Sequence, residues 1–173
     1  MKKIIAVCAG SFDPITKGHL DIIKRASKFS NKLIVGILNS HNKKYWFNLE
    51  ERKILVEKCL LEFNNIEVKT FDGLLVDFVL QNKANTIVRG LRAVSDYEYE
   101  LQLALTNKSL SHNQVETIFL PGSRECLYLS SSLVREVAFH GGKIDEFISP
   151  DIVEDVKKRA KEMKEKEMIG IIK

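Results

Sequence analysis

This chain has little that would tie it down covalently or carry it into a membrane. Its 173 residues include only three cysteines, Cys8, Cys59 and Cys126, far apart and odd in number. There is no C-x-x-C pair and no Cys/His cluster, which argues against a structural zinc site and a disulfide framework. No apolar run approaches the roughly 20 residues needed to span a bilayer. The short apolar stretch near the N-terminus runs straight into a Gly-Ser-Phe-Asp turn, so it reads as a first strand rather than a signal peptide. The three prolines, Pro14, Pro121 and Pro150, fall at expected loops or helix starts. Internal repeats, low-complexity stretches and linkers are absent from the sequence. The expectation is one domain over residues 1–173, with a core over about 1–156 and a basic helical tail over about 157–173. A cytoplasmic protein with reduced thiols and no membrane partner is expected.

A strong charge imbalance is also missing. The formal net charge is +4, from 27 Lys/Arg and 23 Asp/Glu. Residues 157–173 hold seven of the basic and three of the acidic residues, leaving 20 of each in the rest of the chain. The excess belongs to the tail and reads as a solvated helix face, so no nucleic-acid partner is expected.

What is present is a regular alternation. Apolar, β-rich runs occur at 3–8, 33–38, 66–70, 86–88 and 115–120. Helical patterns lie between them at about 17–29, 48–62, 74–83 and 96–110, and two more follow at about 131–140 and 150–167. Strands separated by helices of this length predict βαβ units and a parallel sheet. The expected fold is therefore α/β, a doubly wound, Rossmann-like sheet of five parallel strands in the order 3-2-1-4-5, with C-terminal helices. Ligands in such sheets bind beyond the carboxyl ends of the strands. Asn48 and Glu51 form a capping-box signature for the second helix. Leu49, Val56, Cys59, Leu60 and Phe63 give that helix an imperfect apolar stripe.

The unusual polar residues gather after the strands. Gly10-Ser11-Phe12-Asp13 and Thr16-Lys17-Gly18-His19 follow the first. Asn39-Ser40-His41-Asn42-Lys43-Lys44 follow the second, and Asp72-Gly73-Leu74-Leu75 the third. Arg89-Gly90-Leu91-Arg92 follow the fourth. Gly122-Ser123-Arg124 and then Ser130-Ser131-Ser132 follow the fifth. A small-residue turn before a helix N-terminus suits phosphate. Gly18 is costly in a first helical turn unless something approaches the backbone. His19 could donate to a phosphate oxygen that gains charge in a transition state. Lys43 and Lys44 suit phosphate as point charges, and Arg89 and Arg92 as forks. The bland alternative for the arginines is pairing with Asp96, Glu98 or Glu100. The serines are first an N-cap. Arg135, a cation near that helix start, opposes the dipole unless an anion binds there.

Together these strings resemble the nucleotidylyltransferase superfamily, whose hallmarks are a (His/Thr)-x-Gly-His turn and a late Ser-Ser-(Ser/Thr)-x-x-Arg motif. The block Arg-Gly-Leu-Arg-Ala-Val-Ser-Asp-Tyr-Glu-Tyr-Glu, with Asn-Leu-Glu-Glu-Arg and Leu-Ser-Ser-Ser-Leu-Val-Arg-Glu-Val, is similar to the bacterial phosphopantetheine adenylyltransferases over residues 4 to about 150. The resemblance implies transfer of AMP from ATP to 4′-phosphopantetheine, giving dephospho-CoA and pyrophosphate with Mg²⁺. It implies His19 as transition-state stabiliser, with Lys43 and Arg92 in the catalytic set. Ser11, Lys43, Leu75 and Arg89 would line the phosphopantetheine site. Ser11, Phe12, His19, Gly90, Leu91, Arg92, Glu100 and the run Cys126, Leu127, Tyr128, Leu129, Ser130, Ser131 and Ser132 would hold ATP. It further implies a homohexamer, coenzyme A as a feedback ligand, and few or no protein carboxylates on the metal. Ser11 stands where the family often has threonine, Ala9 where proline is common, and Cys126 where a large aromatic is usual. Transfer to nicotinamide mononucleotide, CTP-dependent transfer to a polyol phosphate, and a non-catalytic nucleotide- or RNA-binding module are the other readings.

Overall fold

The computed structural model describes residues 3–40, 43–92 and 94–170. Five strands run β1 Ile5–Gly10, β2 Lys32–Leu38, β3 Ile66–Phe71, β4 Thr86–Leu91 and β5 Glu116–Pro121. They form one parallel sheet, as the alternation predicts, in the expected doubly wound order β3-β2-β1-β4-β5. The helices are α1 Lys17–Phe29, α2 Leu49–Leu60, α3 Leu75–Gln81, α4 Val94–Leu110, α5 Ser131–Phe139 and α6 Val153–Met168. The helix expected from 150 begins instead with a single 3₁₀ turn, Pro150–Ile152, before α6 takes over. Proline suits such a start because its missing N–H would have no helical partner there.

Central strands of a parallel sheet are covered on both faces and read as continuous apolar runs. Alternate residues therefore enter two cores. Ala6, Cys8, Leu33, Val35, Ile37 and Val88 face α1, α2, α5 and α6, where Ile23, Ala26, Val56, Val134 and Val156 meet them. Val7, Ile34 and Ile87 face the other way, against Phe78 and Val79 of α3. Ile23 is completely buried, worth about 2 kcal/mol over exposure. Close helix–sheet packing explains Gly90 in β4. A Cβ added there would lie 2.8 Å from Ile22 Cγ1 of α1, so any larger residue would have to displace the buried Ile22 side chain.

Helix ends follow the local rules. Asn48 Oδ1 accepts from the Glu51 N–H at 2.9 Å, and Glu51 Oε2 accepts from the Asn48 N–H at 2.8 Å. This capping box starts α2. The basic tail is less solvated than its composition suggests. Arg159 of α6 bonds Glu51 Oε1 at 2.6 Å, donates to the Trp46 carbonyl, and lies over the Phe47 ring at 4.6 Å. That arginine docks α6 onto the start of α2. No described helix is long and apolar enough to cross a membrane.

Candidate active site

The carboxyl ends of β1, β2 and β4 open into a cleft of about 920 Å³. It lies beside β1, where the strand order changes direction, the place where α/β sheets bind ligands. Ser11, His19, Lys43, Lys44, Leu75, Arg89, Gly90, Leu91, Arg92, Glu100, Cys126 and the three serines all line it. Residues up to 121 positions apart, from Ser11 to Ser132, thus meet in one site. His41 and Asn42, which belong to the loop after β2, lie outside the described residues.

His19 is held by the helix it helps to start. Thr16 caps α1, and its Oγ1 accepts from the His19 N–H at 3.4 Å. The ring returns the contact: His19 Nδ1 accepts from the Thr16 N–H at 3.0 Å. This is a capping box with histidine in place of the usual Glu or Gln. A nitrogen that accepts cannot carry the proton, so Nε2 is the protonated nitrogen of a neutral ring. Burial pushes the His19 pKa down to about 3, and the charges of Arg92 and then Arg89 push the same way. The site therefore holds a neutral imidazole with one N–H to give, a hydrogen-bond donor and not a cation. The Phe12 ring meets the imidazole edge-on, with centroids 5.2 Å apart. Phe12 is 2% exposed, so its ring packs in the core and buttresses His19 at the cleft wall.

Gly18 is not demanded by the protein itself. A Cβ there would meet Cys126 Cβ at 3.5 Å and Thr16 Oγ1 at 3.6 Å, both ordinary contacts. The missing side chain leaves the first turn of α1 bare beside the cleft, which suits close approach of an anion to its amides.

The two arginines expected together in a loop after β4 differ. Strand β4 extends through Leu91, so Arg89 is a strand residue paired in register with Phe119 of β5. Its Nε and Nη2 grip both oxygens of Glu100 at 2.7 and 2.6 Å, and Nη1 donates to the Ala9 carbonyl at 2.8 Å. Arg89 and Glu100, expected on two different substrates, are thus one ion pair on α4 and β4. The pair and its hydrogen bonds outweigh burial and hold the Arg89 pKa above its ordinary value. Arg92, past the strand end, is exposed and makes one bond, to the Leu129 carbonyl at 3.0 Å. It has no carboxylate partner among the described residues. The same holds for Lys43 and Lys44 on the opposite rim.

The late serines are engaged with protein. Ser130 caps α5 by accepting from the Leu133 N–H at 3.1 Å, Ser131 donates to the Pro14 carbonyl at 2.8 Å, and Ser132 accepts from Arg135 at 3.3 Å. What α5 offers the cleft is the N–H pair of its first turn. The conflict between Arg135 and the helix dipole is resolved inside the protein. Arg135 bonds Asp13 Oδ2 at 3.1 Å and the Asp13 carbonyl at 2.5 Å. Asp13, 2% exposed, also accepts from the N–H groups of Trp46 and Phe47, both at 3.0 Å. One buried carboxylate thereby ties the β1 turn to α5 and to the entry of α2. Of the run 126–132, Leu127, Tyr128 and Leu129 do not line the cleft; Tyr128 is 90% exposed and Leu129 is buried in the core.

Sequence reasoning missed two residues. Asp13 stood in the quoted turn without a role. Arg52 stood in the Asn-Leu-Glu-Glu-Arg string and is buried behind Ser11. A signal for it existed: positions 49, 52, 56, 59 and 63 make one helical stripe, and Arg52 is the gap that made the stripe imperfect.

Comparison with known proteins gives the site a lineage. The cytidylyltransferase-like family model matches residues 7–137. The phosphopantetheine adenylyltransferase of Clostridium perfringens is 51% identical over 155 residues, covering 90% of this chain and 94% of its own. That of Fusobacterium nucleatum is 46% identical over 158 residues, covering 91% and 97%. Among solved structures, a Plasmodium falciparum nicotinic acid mononucleotide adenylyltransferase complexed with NaAD superposes with a TM-score of 0.66 at 16% identity, over 94% of this chain and 96% of that one. A bifunctional NMN adenylyltransferase/ADP ribose pyrophosphatase from Francisella tularensis gives 0.69 at 19% identity, over 98% of this chain and 54% of that one. Those two likenesses are of fold. The relatives, close to half identical along nearly their whole length, decide the family: the chain belongs to the phosphopantetheine adenylyltransferases, within the cytidylyltransferase-like group.

Proposed function

We propose that this protein transfers the adenylyl group of ATP to the phosphate of 4′-phosphopantetheine, releasing pyrophosphate and forming dephospho-CoA. The observation that carries the reading is the neutral His19, fixed with Nε2–H as its donor at the mouth of the β1 turn, in a cleft rimmed by cations. An oxygen of the acceptor phosphate attacks the α-phosphorus of ATP. The new P–O bond replaces the bond to the β-phosphate bridging oxygen, and pyrophosphate leaves with that oxygen and its electrons. The acceptor phosphate is already largely an anion near neutral pH, its second pKa being about 6, so no general base is needed. The work left for the protein is to hold two anions together and to meet charge as it develops.

In this reading Lys43 and Ser11 bind the acceptor phosphate, with Leu75 and the anchored Arg89 forming that side of the wall. Arg92, Gly90, Leu91 and the first-turn amides of α5 take the triphosphate. His19 donates to an α-phosphate oxygen. Mg²⁺ fits this donor set as an ion carried by the triphosphate. The cleft carboxylates Asp13 and Glu100 are both gripped by arginines, and no cluster of three metal-binding side chains occurs among the described residues. Ser11 offers the turn's hydroxyl. Bound Mg²⁺ would neutralise charge on the triphosphate and the leaving pyrophosphate. A cytoplasmic location, a homohexamer and feedback by coenzyme A complete the proposal, on the strength of the family resemblance.

The test mixes the protein with ATP, Mg²⁺ and 4′-phosphopantetheine and follows pyrophosphate and dephospho-CoA. Both should appear, and chelation should stop the reaction. Product only with nicotinamide mononucleotide, or only with CTP and a polyol phosphate, would sink the substrate assignment while keeping the reaction type.

A further inference from the structure

Arg52 heads the fully buried side chains by volume, with 1% of its surface exposed. It sits on α2, one turn after the Asn48 cap, and has no carboxylate partner among the described residues. Its Nη1 donates to the Ser11 carbonyl at 2.8 Å and to the Leu38 carbonyl at 3.0 Å. The first oxygen belongs to the turn after β1, the second to the last residue of β2. Its guanidinium lies over the Tyr45 ring, 3.9 Å from the centroid. The Tyr45 hydroxyl accepts from the Ser40 N–H at 3.3 Å, closing the base of the loop that carries Lys43. Arg52 Nε is buried without a partner. Ser11, Leu38, Lys43 and Tyr45 line the cleft, and Arg52 stands directly behind them.

Stability alone does not explain this residue. A buried cation without a bonded carboxylate carries a desolvation cost that the nearby Asp13 charge does not cancel, and an apolar side chain would continue the α2 stripe. An arginine can do what an apolar residue cannot: one nitrogen holds two carbonyls while the flat fork stacks on a ring. We propose that Arg52 is a positioning residue, setting the spacing between the Ser11 turn and the Lys43 loop so that both reach the acceptor phosphate together. This rests on the assignment of Lys43 to the acceptor phosphate made above. Arg52 touches no substrate; it acts through Lys43 and Ser11.

The experiment measures KM for 4′-phosphopantetheine and for ATP in four proteins: wild type, Arg52→Lys, Lys43→Ala and the double variant, each with a thermal melt. Arg52→Lys should raise the acceptor KM about tenfold while leaving the ATP KM nearly unchanged. In the Lys43→Ala background the same change should add less than about twofold, because the residues act as one unit. Tyr45→Leu removes the ring and leaves the buried arginine in place, so it carries the test if Arg52→Lys does not fold. It should give a smaller rise in acceptor KM with the same non-additivity. Equal rises for both substrates, a lowered melting temperature with unchanged acceptor KM, or effects that multiply fully with a large Lys43→Ala effect would each overturn the role of Arg52 alone. If Lys43→Ala by itself leaves the acceptor KM unchanged, the assignment of Lys43 falls and the Arg52 role falls with it.

Discussion

Arg52, Arg89 and Arg135 at the base of the cleft are held by protein oxygens, whereas Lys43, Lys44 and Arg92 at its rim have no carboxylate partner among the described residues. The base arginines bond to Ser11, Ala9, Leu38, Asp13 and Glu100, and so join β1, β2, β4, α2, α4 and α5. The rim cations are exposed, Arg92 just past β4 and Lys43 and Lys44 in the loop after β2. Positive charge serves two ends here. At the base it fixes shape, because a guanidinium fork satisfies several oxygens at set angles. At the rim it remains available to an anion, and its attraction is steered by the field rather than by fixed geometry.

This division can be broken by substitution. The largest loss is expected at the base. Asp13→Ala would leave two amides without their acceptor and the half-buried Arg135 without its carboxylate, costing roughly 3–5 kcal/mol of stability, read by urea unfolding. A loss below 1 kcal/mol would mean the base is not the anchor described. Next comes His19, which stands between the two sets. His19→Ala should lower kcat about 10²–10³-fold with little change in ATP affinity; equal losses in both would make it a binding residue only.

The charge state of His19 gives a related check. Its pKa falls from 6.5 to about 3 on folding. The unfolded chain takes up a proton as pH drops through 6.5, and the folded one does not until about 3. Folding stability from this group is complete above 6.5 and declines steadily as pH falls across that window. His19→Ala should flatten that part of the stability–pH curve. NMR of the free protein should find the imidazole neutral at pH 5; a cationic ring at that pH would contradict the bonded Nδ1. At the rim, Arg92→Ala should raise the ATP KM about tenfold and leave the melting temperature within a degree or two. Lys44→Ala should change either KM less than about threefold, the smallest effect, because an exposed point charge at the mouth contributes mainly to steering.

Much of this was legible in the sequence, and what was not has a common cause. Hydrophobic patterning located the five strands, most plainly the central β1, β2 and β4, whose burial writes apolar runs, and the alternation with helices pointed to the doubly wound order. The turn at Ser11–His19 was legible because glycine and a cap residue are local signals. Partnership was not. Pairing of Arg89 with Glu100 stood in the sequence as the alternative to a phosphate, but nothing local decided between them, and nothing local says that Arg135 will find Asp13 or that the Phe12 ring will face the core. Arg159, counted with a solvated tail, packs on Phe47 because α6 returns to α2, a long-range event. Arg52 shows the limit most clearly. An arginine on a helix reads as solvent-exposed, and only the missing member of the Leu49–Phe63 stripe hinted otherwise.

The bond from the Thr16 N–H to His19 Nδ1 has a consequence for how this turn can change over time. The proton's place on the ring is dictated by main chain, and every amino acid except proline supplies that main-chain group. A change at position 16 that keeps the cap and fits the buried space therefore leaves the reactive nitrogen its proton. A motif that accepts either histidine or threonine at this point is what such an arrangement permits. The chemistry is inherited with the backbone's path, and the letter at position 16 is secondary to it.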